Sequence, residues 1–130
     1  MAGYFRREVV LGPRPEDTGW LALTDDELVY RIESLPKDHD KDDELVAVVQ
    51  SPRHFFIRQE AAKRVRDADR LKAFAEDRHI GQILARQMCR DEDVEYLEEL
   101  LRESRHLEVR NAAAVQLKLL QSALKLKLKK

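Results

Sequence analysis

The sequence predicts an all-α protein, an α-solenoid of about three short helical hairpins with a capping helix and an irregular N-terminal arm. Three observations support this prediction. After residue 44 only Pro52 and Gly81 interrupt the helical pattern. Apolar residues recur there at helical spacing, and the segment repeats itself after about 26 residues. We expect an arm at residues 1–23, a repeat domain at 24–120 and a basic amphipathic tail at 121–130.

Composition limits the classes of protein to consider. The 130 residues are 43% hydrophobic and 38% charged, and no apolar run has the length of a transmembrane helix. The sequence begins without the apolar stretch of a signal peptide. A single cysteine, Cys89, excludes an internal disulfide and a multi-cysteine metal or iron–sulfur site. We therefore expect a cytoplasmic protein, with Cys89 as a core or half-buried thiol within a helix.

The N-terminal third contains most of the prolines and glycines. Gly12-Pro13-Arg14-Pro15 predicts a turn or extended segment, because neither proline suits a helix interior; the preceding Tyr4–Leu11 could be a short strand or irregular. Thr24 and Glu27 have the spacing of a capping box and predict a helix over residues 25–35. This helix and Trp20 are candidates to cap one end of the stack. The candidates for the other end are the leucines of one helical face, Leu117, Leu120, Leu124 and Leu128.

The repeat predicts three pairs of helices. The first helices fall at about 43–51, 69–76 and 93–103, and the second helices at about 54–66, 79–89 and 106–120. An offset of 26 aligns Leu45, Leu71 and Leu97. In the second helix of the middle unit an offset of 23 is the alternative, because it pairs Ile57 with Ile80. One hairpin alone cannot bury its apolar face, so neighbouring hairpins must share a core.

Two second helices carry a common pattern of Val or Ile, then Arg, then a pair of alanines and a large apolar residue. The two segments are Ile57-Arg58-Gln59-Glu60-Ala61-Ala62-Lys63-Arg64-Val65 and Val109-Arg110-Asn111-Ala112-Ala113-Ala114-Val115-Gln116-Leu117. This pattern resembles the HEAT-like repeats, and the short units resemble the related leucine-rich variant repeats. The middle unit departs from it, with Leu84 in place of the arginine.

The resemblance implies a protein that binds a protein or, less often, a nucleic acid; a minority of the family are enzymes such as bilin lyases and alkylpurine glycosylases. It also implies that Arg58 and Arg110 bridge to acidic groups of neighbouring units. Relatives that hold an iron–sulfur cluster bind it through a cysteine-rich segment. This sequence has no such segment, so we expect no cofactor.

An Arg-His dipeptide recurs at the turn before each second helix. The three copies are Arg53-His54, Arg78-His79 and Arg105-His106, at spacings of 25 and 27 residues. We expect them to line one edge of the stack, roughly 10 Å apart, where helix N-termini add positive potential. Such an edge could hold acidic side chains or phosphates, or it could be an exposed turn that the repeat copies. The spacing is too wide for a shared zinc ion.

Catalytic and metal motifs are missing from the sequence. The serines and threonines lie outside any nucleophile-elbow pattern. The acidic run Asp38–Glu44 fails as a calcium loop, because Asp43 and Val49 stand where an EF-hand requires glycine and glutamate. The lysine-rich tail Leu124–Lys130 could contact an anionic membrane, RNA or a partner, or could extend the last helix.

We therefore expect a non-enzymatic protein-protein interaction module, a small HEAT-like adaptor whose partner has an acidic surface. The candidate contacts are Arg53, His54, Arg58, Arg78, His79, Arg105, His106 and Arg110. The alternative is a nucleic-acid-binding repeat protein, and a third interpretation is a lyase or chromophore-handling protein. The nucleic-acid alternative would use the lysine tail together with Arg53, Arg58, Arg64, Arg66, Arg78, Arg86 and Arg90.

Overall fold

The computed structural model describes residues 15–128, and within this range the chain is helical and contains no strand. The prediction of an all-α protein is confirmed for these residues. The α-helices are α1 (Pro15–Ala22), α2 (Asp25–Glu33), α3 (Asp42–Gln50), α4 (Phe55–Arg64), α5 (Arg78–Gln87), α6 (Val94–Glu103) and α7 (Leu107–Leu128). Two 3-10 helices, Ala68–Phe74 and Asp91–Asp93, precede α5 and α6. None of these helices is long and apolar enough to cross a membrane.

The expected irregular arm is wrong for residues 15–22, which form α1. Pro15 occupies the first position of this helix, where its missing N–H breaks no helical hydrogen bond. Trp20 is buried in the common core, so α1 belongs to the folded domain. The segment Tyr4–Leu11, for which a strand or an irregular structure was open, lies outside the described residues.

The capping box predicted for α2 is present. The Thr24 hydroxyl oxygen accepts from the Glu27 N–H at 3.2 Å, and the Glu27 carboxylate accepts from the Thr24 N–H at 3.0 Å. Two of the unpaired N–H groups of the first turn are thereby satisfied. The helix ends at Glu33 rather than at residue 35, and Ser34 forms its C-cap.

The helices share a hydrophobic core. Helix α2 contacts α4, α4 contacts α5, and α5 contacts α7. In addition, α1 packs on α3, α3 on α4, the 3-10 helix Ala68–Phe74 on α5, and α6 on α7. The largest fully buried side chains are Leu28, Ile32, Leu45, Val48, Val49, Leu71, Ile80, Leu84, Met88, Leu97 and Val109.

The first segment of the middle unit is a 3-10 helix rather than the predicted α-helix. Only Leu71 of this segment is fully buried, and Asp67 caps it by accepting from the Asp69 N–H at 3.1 Å. Its seven residues span about 14 Å as a 3-10 helix but about 10 Å as an α-helix. The stretched form lets a short segment cover more of the neighbouring α5.

The register of the middle unit follows the 23-residue offset. Helices α4 and α5 are both ten residues long, and their starts, Phe55 and Arg78, are 23 residues apart. The position of Arg58 in α4 is therefore occupied in α5 by Gly81, and not by Leu84, which is buried. A Cβ at position 81 would lie 2.8 Å from Val109 Cγ2 and 2.9 Å from the carbonyl oxygen of Ala75. Glycine here permits the close approach of α5 to α7.

Helix α7 continues past the predicted end at residue 120 to Leu128. Leu117 and Leu120 are buried, and Leu124 is half-buried. Lys127 forms an ion pair with Asp91 at 3.7 Å, so this part of the helix lies beside the start of the α6 segment. The lysine-rich tail is thus helical as far as the described residues extend.

Candidate interaction edge

The three Arg-His pairs lie at the N-terminal ends of α4, α5 and α7, as the sequence predicts, but not in equivalent positions. Arg53-His54 and Arg105-His106 precede their helices, whereas Arg78-His79 forms the first two residues of α5. The shift follows from the 23-residue offset. We call these N-terminal ends, with the side chains that project from them, the Arg-His edge. The structure divides its side chains into those that stabilise the fold and those that face outward.

Arg53 belongs to the first group. Its Nη1 lies 2.5 Å from the Asp25 carboxylate, and its Nη2 donates to the carbonyl oxygens of Leu21 at 3.0 Å and Leu23 at 2.6 Å. The side chain is only 17% exposed. Arg53 therefore satisfies carbonyls around the end of α1 and neutralises a carboxylate at the start of α2, which leaves it little freedom to contact a partner.

Arg58 and Arg110 also act within the fold. The Nε of Arg58 donates to the carbonyl oxygen of Val49 at 2.6 Å, and the Nη1 of Arg110 donates to that of Ser104 at 2.6 Å. Each carbonyl lies at the C-terminal end of the helix that precedes the arginine, where carbonyl groups have no hydrogen-bond partner within the helix. Arg58 further pairs with Asp77 at 3.1 Å, an acidic group of the next unit, as the resemblance implies.

Asp77 links this arginine to the start of α5. One of its oxygens accepts from the N–H groups of His79 at 2.9 Å and Ile80 at 3.0 Å, and the other faces Arg58. Partial burial raises the pKa of the Asp77 carboxyl, but the two N–H groups and the Arg58 guanidinium outweigh this effect and lower it below the ordinary value. Asp77 thus caps α5 as a carboxylate.

The outward side chains form a row of rings. The rings of His54 and Phe55 have centroids 4.3 Å apart, and Phe55 stacks on His79 at 4.8 Å with an interplanar angle of 14°. Phe55 is 47% exposed and the adjacent Phe56 is 52% exposed. Arg78, next to His79, is exposed and forms no ion pair with a side chain of residues 19–127. This row brings aromatic faces to the surface, with the exposed Arg78 next to it in the chain.

Both residues of the third Arg-His pair contact Glu76, which lies in the turn before α5. Arg105 is 74% exposed and its Nε lies 3.4 Å from the Glu76 carboxylate. The Nε2 of His106 bonds the carbonyl oxygen of Glu76 at 2.8 Å; because a carbonyl only accepts, this nitrogen donates. At the other end of the edge, the Nδ1 of His54 accepts from the Phe56 N–H at 3.1 Å and caps α4. Only Arg105 of this pair extends into solvent.

The sequence analysis did not select Phe55 and Phe56. A signal was present for Phe56, because it falls outside the face of α4 that the buried Ile57, Ala61 and Ala62 define. Phe55 lies two turns before Ala62 on the same side of the helix, so its exposure had no such signal. An exposed aromatic pair of this kind indicates a binding surface better than repeated charges do, since exposing apolar side chains to water is unfavourable.

Most arginines of the nucleic-acid alternative are already engaged. Arg64 donates to the Leu35 carbonyl oxygen, and Arg66 donates to that of His39 at 2.9 Å. Arg90 binds Asp69 at 2.8 Å and Asp93 at 2.7 Å. With Arg53 and Arg58 also bonded, the members of that set without a carboxylate or backbone-carbonyl partner among residues 19–127 are Arg78 and Arg86, and Arg86 donates to the Gln82 side-chain oxygen at 3.4 Å.

Two further sequence-based expectations concern Cys89 and metals. Cys89 lies after the end of α5 at Gln87 and is exposed, so the expectation of a core or half-buried helical thiol is wrong. The helix ends early because Met88 is the last core residue of this register and turns the chain at the C-cap. Within the described part of the chain, no group of three or more histidine, cysteine, aspartate or glutamate side chains could hold a metal ion.

Comparison with known proteins identified no relative: no family model, no curated protein and no solved structure matches this chain.

Proposed function

We propose that the protein is a non-enzymatic, HEAT-like interaction module that binds a partner protein through the outward side chains of the Arg-His edge. The observation that carries the proposal is the stack of the exposed His54 and Phe55 on the half-buried His79, with the exposed Arg78 next in the chain. Aromatic and arginine side chains dominate the binding energy of protein interfaces, whereas isolated charged turns contribute little.

The contacts between helices support the solenoid arrangement that this proposal includes. Helices α2, α4, α5 and α7 contact each other in chain order, as stacked second helices would. In addition, a polar side chain of each second helix donates to a carbonyl oxygen at the C-terminal end of the second helix before it. The pairs, donor first, are Arg64 to Leu35, Gln87 to Ala62 and Gln116 to Met88. The same contact made three times is what a repeated interface produces.

The chemistry of the edge indicates what the partner presents. Phe55 and Phe56 need apolar surface to cover them, because burying their exposed area is favourable. Arg78 and Arg105 favour carboxylates around that surface. A partner with an apolar centre and an acidic rim satisfies both requirements. Arg53, Arg58 and Arg110 would act indirectly, by setting the positions of the helix ends.

The nucleic-acid alternative has weaker support. Binding of phosphates depends on free cations, and five of the seven arginines in that set bond carboxylates or backbone carbonyls. Unstacked bases could still lie on Phe55 and His79. The experiment must therefore separate a protein partner from a nucleic acid.

The test is affinity capture from source lysate, with and without nuclease, using three forms of the chain. These are the wild type, Phe55→Ser/Arg78→Glu at the edge, and the matched control Tyr30→Ser/Arg102→Glu, which changes an exposed aromatic residue and an exposed arginine elsewhere. We expect one protein to bind stoichiometrically to the wild type and the control, to survive nuclease, and to be lost with the edge variant.

Two results would contradict the proposal. Equal capture by the edge and control variants would show that the edge is not the binding surface. Loss of the captured material with nuclease would favour the nucleic-acid alternative. Thermal unfolding of the edge variant serves as the folding control, and its midpoint should stay within about 4 °C of the wild type, because both residues are exposed.

A further inference from the structure

Helix α7 has apolar residues on two sides, and the described residues cover only one of them. Val109, Ala113, Leu117 and Leu120 face the core. Val115 and Leu119 are 60% exposed and Leu126 is 65% exposed. The latter three are spaced by four and seven residues, so they form one stripe on the outer surface of the helix. A helix that is apolar on both sides is expected to be covered on both.

Exposed cations lie on both sides of this stripe. Lys118 and Lys125 are exposed, seven residues apart, and lie along one side of it. On the other side Arg86 of α5 lines a groove that includes Val115 but not Leu119 or Leu126. None of these three cations forms an ion pair with a carboxylate of residues 19–127, although most arginines of that range are bonded. The stripe is therefore an outer apolar surface with positive borders, and the groove lies beside its Val115 end.

We propose that this α7 stripe, together with the α5–α7 groove beside Val115, binds an acidic amphipathic helix of another protein. From Val115 to Leu126 the stripe is about 16 Å long, which matches three turns of a partner helix. The partner helix would place its apolar side chains on the stripe and its carboxylates beside Lys118, Lys125 and Arg86. Glu108 lies at the N-terminal end of the groove, so the partner should lack acidic residues at the end that reaches it.

The observations favour a helical partner over two other occupants. The groove beside Val115 has a volume of about 350 Å³ and polar walls that include Gln82, Asn111 and Gln116, which suit the polar side of a partner helix better than a flat lipid surface. A second copy of this chain, binding through the same stripe, would bring its own unpaired lysines to Lys118 and Lys125. Like charges disfavour that contact.

The test uses the full chain and two synthetic helical peptides that share one leucine stripe. One peptide carries glutamates beside the stripe and the other carries lysines, and binding is measured by fluorescence anisotropy. We expect the wild type to bind the glutamate peptide at least tenfold more tightly. Leu119→Ser should weaken this binding at least tenfold, whereas Leu101→Ser, the same change at an exposed leucine of α6, should have little effect. Lys118→Glu/Lys125→Glu should reverse the preference in favour of the lysine peptide.

Several results would overturn the proposal. These are equal binding of the two peptides, equal effects of Leu119→Ser and Leu101→Ser, and no binding at millimolar concentration. Two further arms identify the other occupants. Binding to phosphatidylglycerol vesicles that is lost with Leu119→Ser, while the glutamate peptide fails, would assign the stripe to a membrane. A concentration-dependent dimer in sedimentation equilibrium that Leu119→Ser abolishes would assign it to a second copy.

Discussion

Replacing Gly81 with alanine sets two physical effects of opposite sign against each other. In the interior of a helix, alanine is favoured over glycine by about 1 kcal/mol. Here the new Cβ would lie 2.8 Å from Val109 Cγ2 and 2.9 Å from the Ala75 carbonyl oxygen. Val109 is fully buried, and the other contact is with backbone, so neither atom can move away freely. Inserting a methyl group into such a core costs about 1–3 kcal/mol.

We expect the packing effect to be larger, because two contacts are too short and one of them involves backbone. Gly81→Ala should therefore lower the free energy of unfolding by about 1–2 kcal/mol, as measured by urea denaturation followed by circular dichroism. Arg86→Gly, at an exposed position of the same helix, should cost about 1 kcal/mol and serves to measure the propensity effect in α5. Both values come from the same assay.

A double variant tests whether Val109 is the cause. Val109→Ala removes the nearest atom and should itself cost about 2 kcal/mol. Because it relieves the contact with the new methyl group, Gly81→Ala/Val109→Ala should lose at least about 0.5 kcal/mol less than the two single variants together. An additive result, or a Gly81→Ala protein as stable as the wild type, would refute the assigned contact between α5 and α7.

Three further predictions concern caps and ion pairs. Thr24→Ala should lower the free energy of unfolding by about 1 kcal/mol in urea denaturation, and Thr24→Ser should cost less. Arg53→Ala should lower the free energy of unfolding by about 1–3 kcal/mol, because two backbone carbonyls around the end of α1 lose their donor. Arg78→Ala should lower it by less than about 0.5 kcal/mol, and equal losses would contradict these roles. Burial raises the pKa of Asp93, but hydrogen bonds from the Arg90 guanidinium lower it below its ordinary value of 3.8. The Asp93 carboxylate therefore stabilises the fold above pH 3.8, and this contribution is lost as the pH falls through the lowered pKa. Thermal midpoints should therefore fall more steeply below about pH 4 for the wild type than for Asp93→Asn, and parallel curves would contradict the prediction.

The starts of most helices follow from local signals. The predicted starts of α2, α3, α4 and α6 lie within one residue of the observed ones. These starts depend on capping side chains and on the spacing of apolar residues, both of which act within one or two turns. The 3-10 helix Ala68–Phe74 was predicted as α-helix, because the distance that it must span is set by α5 and not by its own residues.

The positions of the Arg-His dipeptides were predicted only in part. Arg53-His54 and Arg105-His106 precede α4 and α7, as the repeated turns predict, whereas Arg78-His79 forms the first residues of α5. Whether an arginine there faces solvent depends on a carbonyl oxygen elsewhere in the chain: Arg53 bonds residues 30 and 32 positions away. No pattern near Arg53 distinguishes it from Arg78, which has no such partner among the described residues.

The sequence by itself determined the helical class and the starts of most helices, because hydrogen bonding and apolar periodicity are local. Only the tertiary structure decided three things. It placed Gly81 against Val109, it used most of the arginines to satisfy helix ends, and it left Phe55, Phe56 and the α7 stripe exposed. Each of these depends on which surfaces the packed helices cover, and that is a property of contacts between residues far apart in the chain.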